Sequence, residues 1–309
     1  MIEAFAADGI GEITEGTDLV GLVAGHAIEG DVVVITSKVI SKAEGRVVAG
    51  DREEVIRAET VRLVARRGPT SIVENHLGLV MAAAGVDASN IEPGMLVLLP
   101  LDPDASARAI REGVRLRTGA NVAVLVSDTA GRAWRHGQTD LAVGAAGIEP
   151  LEVFEGRVDS YGNELAVTAP AVVDEITGLA ELVTGKLGGR PLTLVRGLAD
   201  RVLPPGEHGP GARSLVRETG TDMFGLGSRE AVVAALSGAQ PEAFGAPAPA
   251  ADLLAALLAC GIESEVAEGG VVALAAADDV RLRALALAHG WVTRSAGSAA
   301  SRTILAPLS

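Results

Sequence analysis

The chain carries a single cysteine, Cys260, in 309 residues. That excludes an internal disulfide and a cysteine-built metal cage, and it agrees with a reducing compartment. Cys260 itself reads as a small core residue. Aromatic residues make up only 2% of the chain against 48% apolar residues, so the core of this globular protein has to be built from Val, Leu, Ile and Ala. No apolar run approaches the roughly 20 residues of a membrane span, and Met1-Ile2-Glu3-Ala4 lacks the basic region of a signal peptide. Cytoplasmic residence without a membrane partner is the expectation. Also missing are Gly-x-x-x-x-Gly-Lys-Ser/Thr and a dinucleotide fingerprint behind a strand, which leaves the common nucleotide folds without support. Positive charge is short: a net charge of −14 argues against nucleic-acid binding, because phosphate backbones repel such a surface. An anionic small substrate would need local cations or bound metal.

Lysine is the scarcest charge, with three lysines against 23 arginines. Two of the three stand four residues apart in Thr36-Ser37-Lys38-Val39-Ile40-Ser41-Lys42, directly after the apolar run Val32-Val33-Val34-Ile35. A compact ammonium and a planar guanidinium are not interchangeable where a point charge meets a phosphate oxygen. The cluster is therefore a site candidate, delivered to a rim by the strand before it, and Lys186 is the third candidate.

Periodicity organises the rest. It predicts a helix over 17–29 capped by Thr17, a strand over 32–36, a charged helix over 51–67 and a short apolar helix over 74–84. A buried strand follows over 95–100, then an amphipathic helix over 103–117 with Arg108, Arg111, Arg115 and Arg117 on its wet side. The strand 122–126 stops at Ser127-Asp128-Thr129; Gly-rich loops, a polar hairpin near 152–168, a helix over 170–184 and a strand over 192–195 come after it. Residues 1–236 form a core, 237–249 read as a Pro/Gly/Ala linker, and 250–309 suggest helix, two strands across Gly269-Gly270, helix and two short strands. About 60 residues is marginal for a core of its own, so this unit is expected to dock on the main body or another subunit.

Several segments can carry chemistry. Asp128 stands where a strand-end carboxylate can hold Mg²⁺ or Mn²⁺, hard ions that need few protein oxygens besides water and phosphate; it can equally be a cap or turn former. Arg132 and Arg135 can pair with a carboxylate, a phosphate or surface acids, and His136 reads as a polar loop residue. Asp87 and Asn90 fit a turn, and Gly9 and Gly11 either admit a ligand to the backbone or make a tight turn. Composition and spacing reach only a soluble enzyme with a metal and phosphate site as candidates.

Taken together, residues 36–46, Asp87-Ala88-Ser89-Asn90, Ser127-Asp128-Thr129-Ala130-Gly131-Arg132-Ala133-Trp134-Arg135 and Glu181-Leu182-Val183-Thr184-Gly185-Lys186 resemble the coenzyme F-420 gamma-glutamyl ligase family, with matching order and spacing over roughly residues 1–235. The resemblance implies a GTP-dependent ligase joining L-glutamate through its amine to the carboxyl end of the deazaflavin precursor F-420-0, with further gamma-linked glutamates able to follow and GDP and phosphate released. It implies an α+β fold of mixed sheets with flanking helices, a homodimer, and Mg²⁺ or Mn²⁺, one or two per site, with K⁺ a further candidate. It puts the nucleotide against Gly9, Ile10, Gly11, Glu12, Ser37, Lys38, Lys42 and Asn90, with Gly185 and Lys186 from a further loop. Metal falls to Asp87, Asp128 and Thr129, and the catalytic roles to Lys42, Asp87 and Asp128. The segment 184–191 offers no carboxylate, which departs from the family pattern. The small α/β unit at 250–309 replaces the flavin-binding, nitroreductase-like domain of some relatives, so no flavin mononucleotide site is expected. Two other readings stay open: a nucleotide-dependent amide ligase for another small carboxylate, and a non-catalytic GTP-binding module whose partner contacts come from 250–309.

Overall fold

Runs of Val, Ile and Leu too apolar for one-sided burial build a mixed sheet covered on both faces. The sheet belongs to the first of two units, Met1–Arg217 and Glu218–Ser309, in a computed structural model that describes residues 1–218, 222, 226–267, 270–295 and 302–308. The first unit runs β1 (Glu3–Ala6), α1 (Leu19–Ala24), β2 (Val32–Thr36), α2 (Ser37–Ala43), β3 (Val47–Ala49), α3 (Arg52–Glu59), β4 (Thr60–Arg67), β5 (Thr70–Asn75), β6 (Val80–Ala82), β7 (Met95–Val97), α4 (Pro103–Thr118), β8 (Ala123–Gly131), β9 (Gln138–Ala146), α5 (Val172–Thr184) and β10 (Leu192–Arg196). The five-stranded sheet has the order β1-β10-β2-β8-β9, with β2 and β8 parallel and the other pairs antiparallel. Val33, Ile35, Val124 and Val126 pack on one face with residues of α1, α2 and α4. Val32, Val34, Ala123 and Leu125 pack on the other with Val172, Val173, Ile176 and Ala180 of α5. Each fully buried Val or Leu of this kind stabilises the fold by roughly 1.5–3 kcal/mol. The α+β class is as expected.

Local signals explain where elements start and stop. Asp102 caps α4 by accepting from the Ala105 amide, Pro103 supplies the first turn, and Gly119 ends the helix at φ 83°. Helix α1 is shorter than expected, and Asp18 caps it through the Gly21 amide, while Thr17 hydrogen-bonds Thr14. The helix expected over 51–67 ends at Glu59. From Thr60 the chain pairs with β5 instead, in a three-stranded sheet β4-β5-β6. The helix expected over 74–84 is absent because Asn75 Oδ1 accepts from the amides of Leu77 and Leu79 and folds a turn, with Gly78 at φ 80°. Residues 127–131 continue strand β8, and 138–146, expected as loop, form β9. The segment near 152–168 pairs with itself, Val158 opposite Glu164.

The second unit contains α6 (Ser228–Ser237), α7 (Ala250–Ala259), β11 (Ser264–Ala267), β12 (Gly270–Ala273), α8 (Val280–Ala288), β13 (Trp291–Ser295) and β14 (Thr303–Pro307), with sheet order β11-β12-β14-β13. It begins upstream of the expected 237–249 linker because α6 packs against α8. Strands β11 and β12 pair with Ala267 opposite Gly270; Gly269 lies outside the described residues. Cys260 is exposed at the end of α7, which corrects its reading as a core residue. Among the described residues no helix is long and apolar enough to cross a membrane.

Arg111, expected on the wet side of α4, is only 2% exposed. Its guanidinium donates to the carbonyls of Val122 at 2.8 Å, Glu207 at 2.6 Å and Leu203 at 2.7 Å, and to Asn121 Oδ1 at 2.9 Å. One planar fork thus ties the segment 203–207 to α4, a geometry that lysine cannot copy. Arg111→Ala leaves those buried acceptors unpaired and should cost about 3 kcal/mol, read as a lower urea midpoint for the full chain.

Candidate active site

The step between two parallel strands makes the site. Strand β2 ends at Thr36, where Ser37 opens α2, whereas β8 runs on to Gly131 paired only with β9. The gap is a cavity of about 890 Å³ lined by both strands, α2, the 85–91 loop and the end of α5. A bulge in β9 sets what enters it. Val126 lies opposite Gly144 but Ser127 opposite Ala142, so one extra residue shifts the register and brings Asp140 opposite Thr129 instead of Ala130.

On the α2 side, Ser37 Oγ donates to Asp128 Oδ1 at 2.8 Å. Lys38 and Lys42 are four residues apart and so share a helix face. Lys38 Nζ lies 2.6 Å from Asp87 Oδ2 and 2.5 Å from Ser89 Oγ, and Lys42 Nζ lies 2.5 Å from Glu12 Oε1. Asp87 is also held by the Ser89 amide at 2.8 Å, which makes the predicted turn. On the α5 side, Ser127 and Thr129 donate to the two oxygens of Asp140 at 3.1 and 2.7 Å, and Lys186 Nζ donates to Thr129 Oγ1 at 2.6 Å.

Electrostatics link the two sides. Burial pushes the Asp128 carboxyl up to about 6; the charges of Asp140 and Asp87 add to this, while the Ser37 hydrogen bond and the Lys38 charge oppose it. Burial also raises Asp87, but Lys38 and the Ser89 amide outweigh it and hold that carboxyl below its usual range. Three acids that influence one another call for positive charge. Among the described residues no three carboxylate, imidazole or thiolate side chains close on a single point. The available donors are one or two carboxylates and a hydroxyl, a set that suits a hard divalent ion completing its shell with water and phosphate oxygens.

Of the residues singled out from the sequence, Gly11, Glu12, Lys38, Lys42, Asp87, Asn90, Asp128, Thr129, Gly185 and Lys186 line the cavity. Ser37 stands behind Asp128, while Gly9 and Ile10 fall outside the lining. Lys186 meets Thr129 and Glu181 and is not part of the Lys38–Lys42 cluster. Arg132 and Arg135 are exposed at the β8–β9 tip, where Arg132 donates to the His136 carbonyl. Asp140 and Thr193 were not singled out. Alternation in Gln138-Thr139-Asp140-Leu141 was the available signal for the first, and the second carries none.

A sequence model of the F420-0:Gamma-glutamyl ligase family matches residues 51–197. The chain is 39% identical over 219 residues to the coenzyme F420:L-glutamate ligase of Archaeoglobus fulgidus, covering 64% of this chain and 88% of that protein. It is 38% identical over 237 residues to that of Methanopyrus kandleri (69% and 93%) and 40% identical over 223 residues to that of Halobacterium salinarum (63% and 87%).

The raised Asp128 carboxyl gives a signed pH effect. Its contribution is neutral below the unfolded value of 3.8, where both states are protonated, becomes increasingly destabilising as pH rises from 3.8 to about 6, and is constant above that. Asp128 is partly open to the cavity, and screening holds the effect to about 2 kcal/mol. Without divalent ions, Asp128→Asn should match the parent in urea unfolding at pH 3.5 and exceed it at pH 7.

Proposed function

Because this chain belongs to the F420-0:gamma-glutamyl ligase family, we propose that it is a GTP-dependent ligase that attaches L-glutamate to F-420-0 through an acyl phosphate. The observation that carries the reading is the meeting of Asp87, Asp128, Lys38 and Lys42 at one cavity, on the segments that resemble the family. An amide does not form from a free carboxylate at neutral pH without activation. Transfer of the terminal phosphoryl group of GTP to the acceptor carboxylate supplies it; attack by the glutamate amine then releases phosphate.

The chain's residues divide the work. Asp87 and Asp128 would hold Mg²⁺ or Mn²⁺, which when bound would neutralise phosphate charge during transfer. Thr129, whose side chain faces α5 and bonds Asp140 and Lys186, drops out of the expected metal set. Ser37 fixes the Asp128 rotamer through its hydrogen bond. Lys42 pairs with Glu12, whose side chain is 75% exposed. Such a surface pair is weak, and a phosphate can take Glu12's place against the ammonium. Positioning and electrostatics supply most of the rate. We further infer a homodimer, supported by the exposed apolar side chains Val158, Tyr161 and Val167 on the arm between β9 and α5.

Incubating the protein with F-420-0, GTP, Mn²⁺ and glutamate should add one or more glutamyl masses by mass spectrometry, and unchanged F-420-0 would refute the reading. Lys42→Arg keeps the charge but not the shape of the ammonium, and it should weaken GTP binding about tenfold; calorimetric titration checks this. On size exclusion with light scattering, Val167→Glu should shift the protein toward the mass of one chain.

A further inference from the structure

The cavity has a half that the nucleotide reading does not use. On the α5 face, Ser127, Thr129 and Asp140 from the β8–β9 hairpin face Glu181 and Lys186 from the end of α5 and Thr193 from β10. Thr193 falls on this face because its neighbours Leu192 and Leu194 pack on the opposite one and its partner Val34 packs with α5. Its side chain is 0% exposed, and its hydroxyl has no hydrogen-bond partner among the described residues. An orphaned buried hydroxyl is destabilising unless something else satisfies it. Thr193 stands on the wall of a recess that also holds two carboxylates and an ammonium.

The charges in this recess have mixed sign, which sets the ligand class. Two carboxylates repel a triphosphate but fit an ammonium or amine. Glu181 is held only loosely, with Lys186 Nζ at 3.4 Å and Thr184 Oγ1 at 3.3 Å. Lys186 is 61% exposed along its side chain and reaches in to Thr129 from outside, so its ammonium can turn from that hydroxyl to an incoming carboxylate. Thr129 already donates its proton to Asp140, so its oxygen can accept from a ligand once Lys186 turns away.

We propose that this recess is the subsite for the amino-acid substrate: Glu181 and Asp140 receive its amine, Lys186 receives a carboxylate, and Thr193 supplies the remaining hydrogen bond. The inference rests on the ligase reading and goes beyond it by placing the amino acid across β8 from the nucleotide. Lys186 thereby moves from the nucleotide set to the amino-acid set.

The test is calorimetric titration of the full chain, without turnover, using L-glutamate in the presence of saturating Mg²⁺ and a non-hydrolysable GTP analogue, with the analogue titrated separately. Glu181→Gln and Lys186→Met should each weaken L-glutamate at least tenfold while analogue affinity stays within twofold. Thr193→Val guards against a folding artefact. Replacing an orphaned hydroxyl by a methyl leaves thermal stability unchanged or raised, yet glutamate should bind several-fold more weakly. Wild-type glutamate affinity in the Glu181 and Lys186 variants overturns the subsite and leaves the ligase reading standing. Loss of analogue affinity in their place assigns the recess to the nucleotide and likewise overturns it. A parent protein that binds the analogue but no glutamate overturns both.

Discussion

The register between β8 and β9 depends on one surplus residue, and the chemistry of the cavity depends on that register. Side chains directly opposite each other in an antiparallel pair share a face. With a continuous ladder, Asp140 would stand opposite Ala130 and join Asp128 on the α2 side, crowding two carboxylates beside Asp87. The bulge moves it opposite Thr129, where two hydroxyls satisfy its oxygens. The hairpin thus presents one acid to each face of the sheet, and two polar compartments are organised by a single ladder. Gly144, beside the bulge, permits the close approach of α4, since a Cβ there would lie 2.5 Å from the backbone of Pro103.

How much of this the sequence displayed follows from how local each signal was. Strand β2 and helix α4 were legible because their boundaries are written in neighbouring residues: Gly30-Asp31 before one, and Asp102-Pro103 and Gly119 around the other. The C-terminal element order was legible for the same reason. The segment 51–67 misled because its charges suit a helix throughout, while its second half is decided by pairing with β5, a partner that local periodicity does not see. Strand β9 was hidden by its own composition. Ala142, Gly144, Ala145 and Ala146 are poor strand formers, kept small by close packing against α4 and α5.

The site divides in the same way. Residues on one short element, such as Lys38 and Lys42, could be grouped from spacing alone. The pairing of Ser37 with Asp128 joins positions 91 residues apart, and only the parallel β2–β8 contact brings them together. The four motifs supplied what spacing could not, because their shared order stands in for the fold. Asp140 and Thr193 stayed invisible, since a bulge sets the face of the one and the alternation of β10 sets that of the other.

Charge scarcity gives the arrangement its logic. In a chain with 40 acids and 26 basic residues, ammonium groups brought into a cavity of carboxylates are attracted without any ligand. All three lysines line this one cavity, each with an acid beside it: Asp87 for Lys38, Glu12 for Lys42 and Glu181 for Lys186. Arginines, always charged and fork-shaped, are used for fixed ties such as Arg111 to backbone carbonyls and Arg46 to Glu59. The flexible ammonium groups are kept where partners have to exchange. An anionic substrate that enters with its own divalent ion brings both replacements at once, the cation for the carboxylates and the phosphate or carboxylate for the lysines. On the proposed reading, the divalent ion would offset part of the charge such a polyanion brings into this strongly acidic protein.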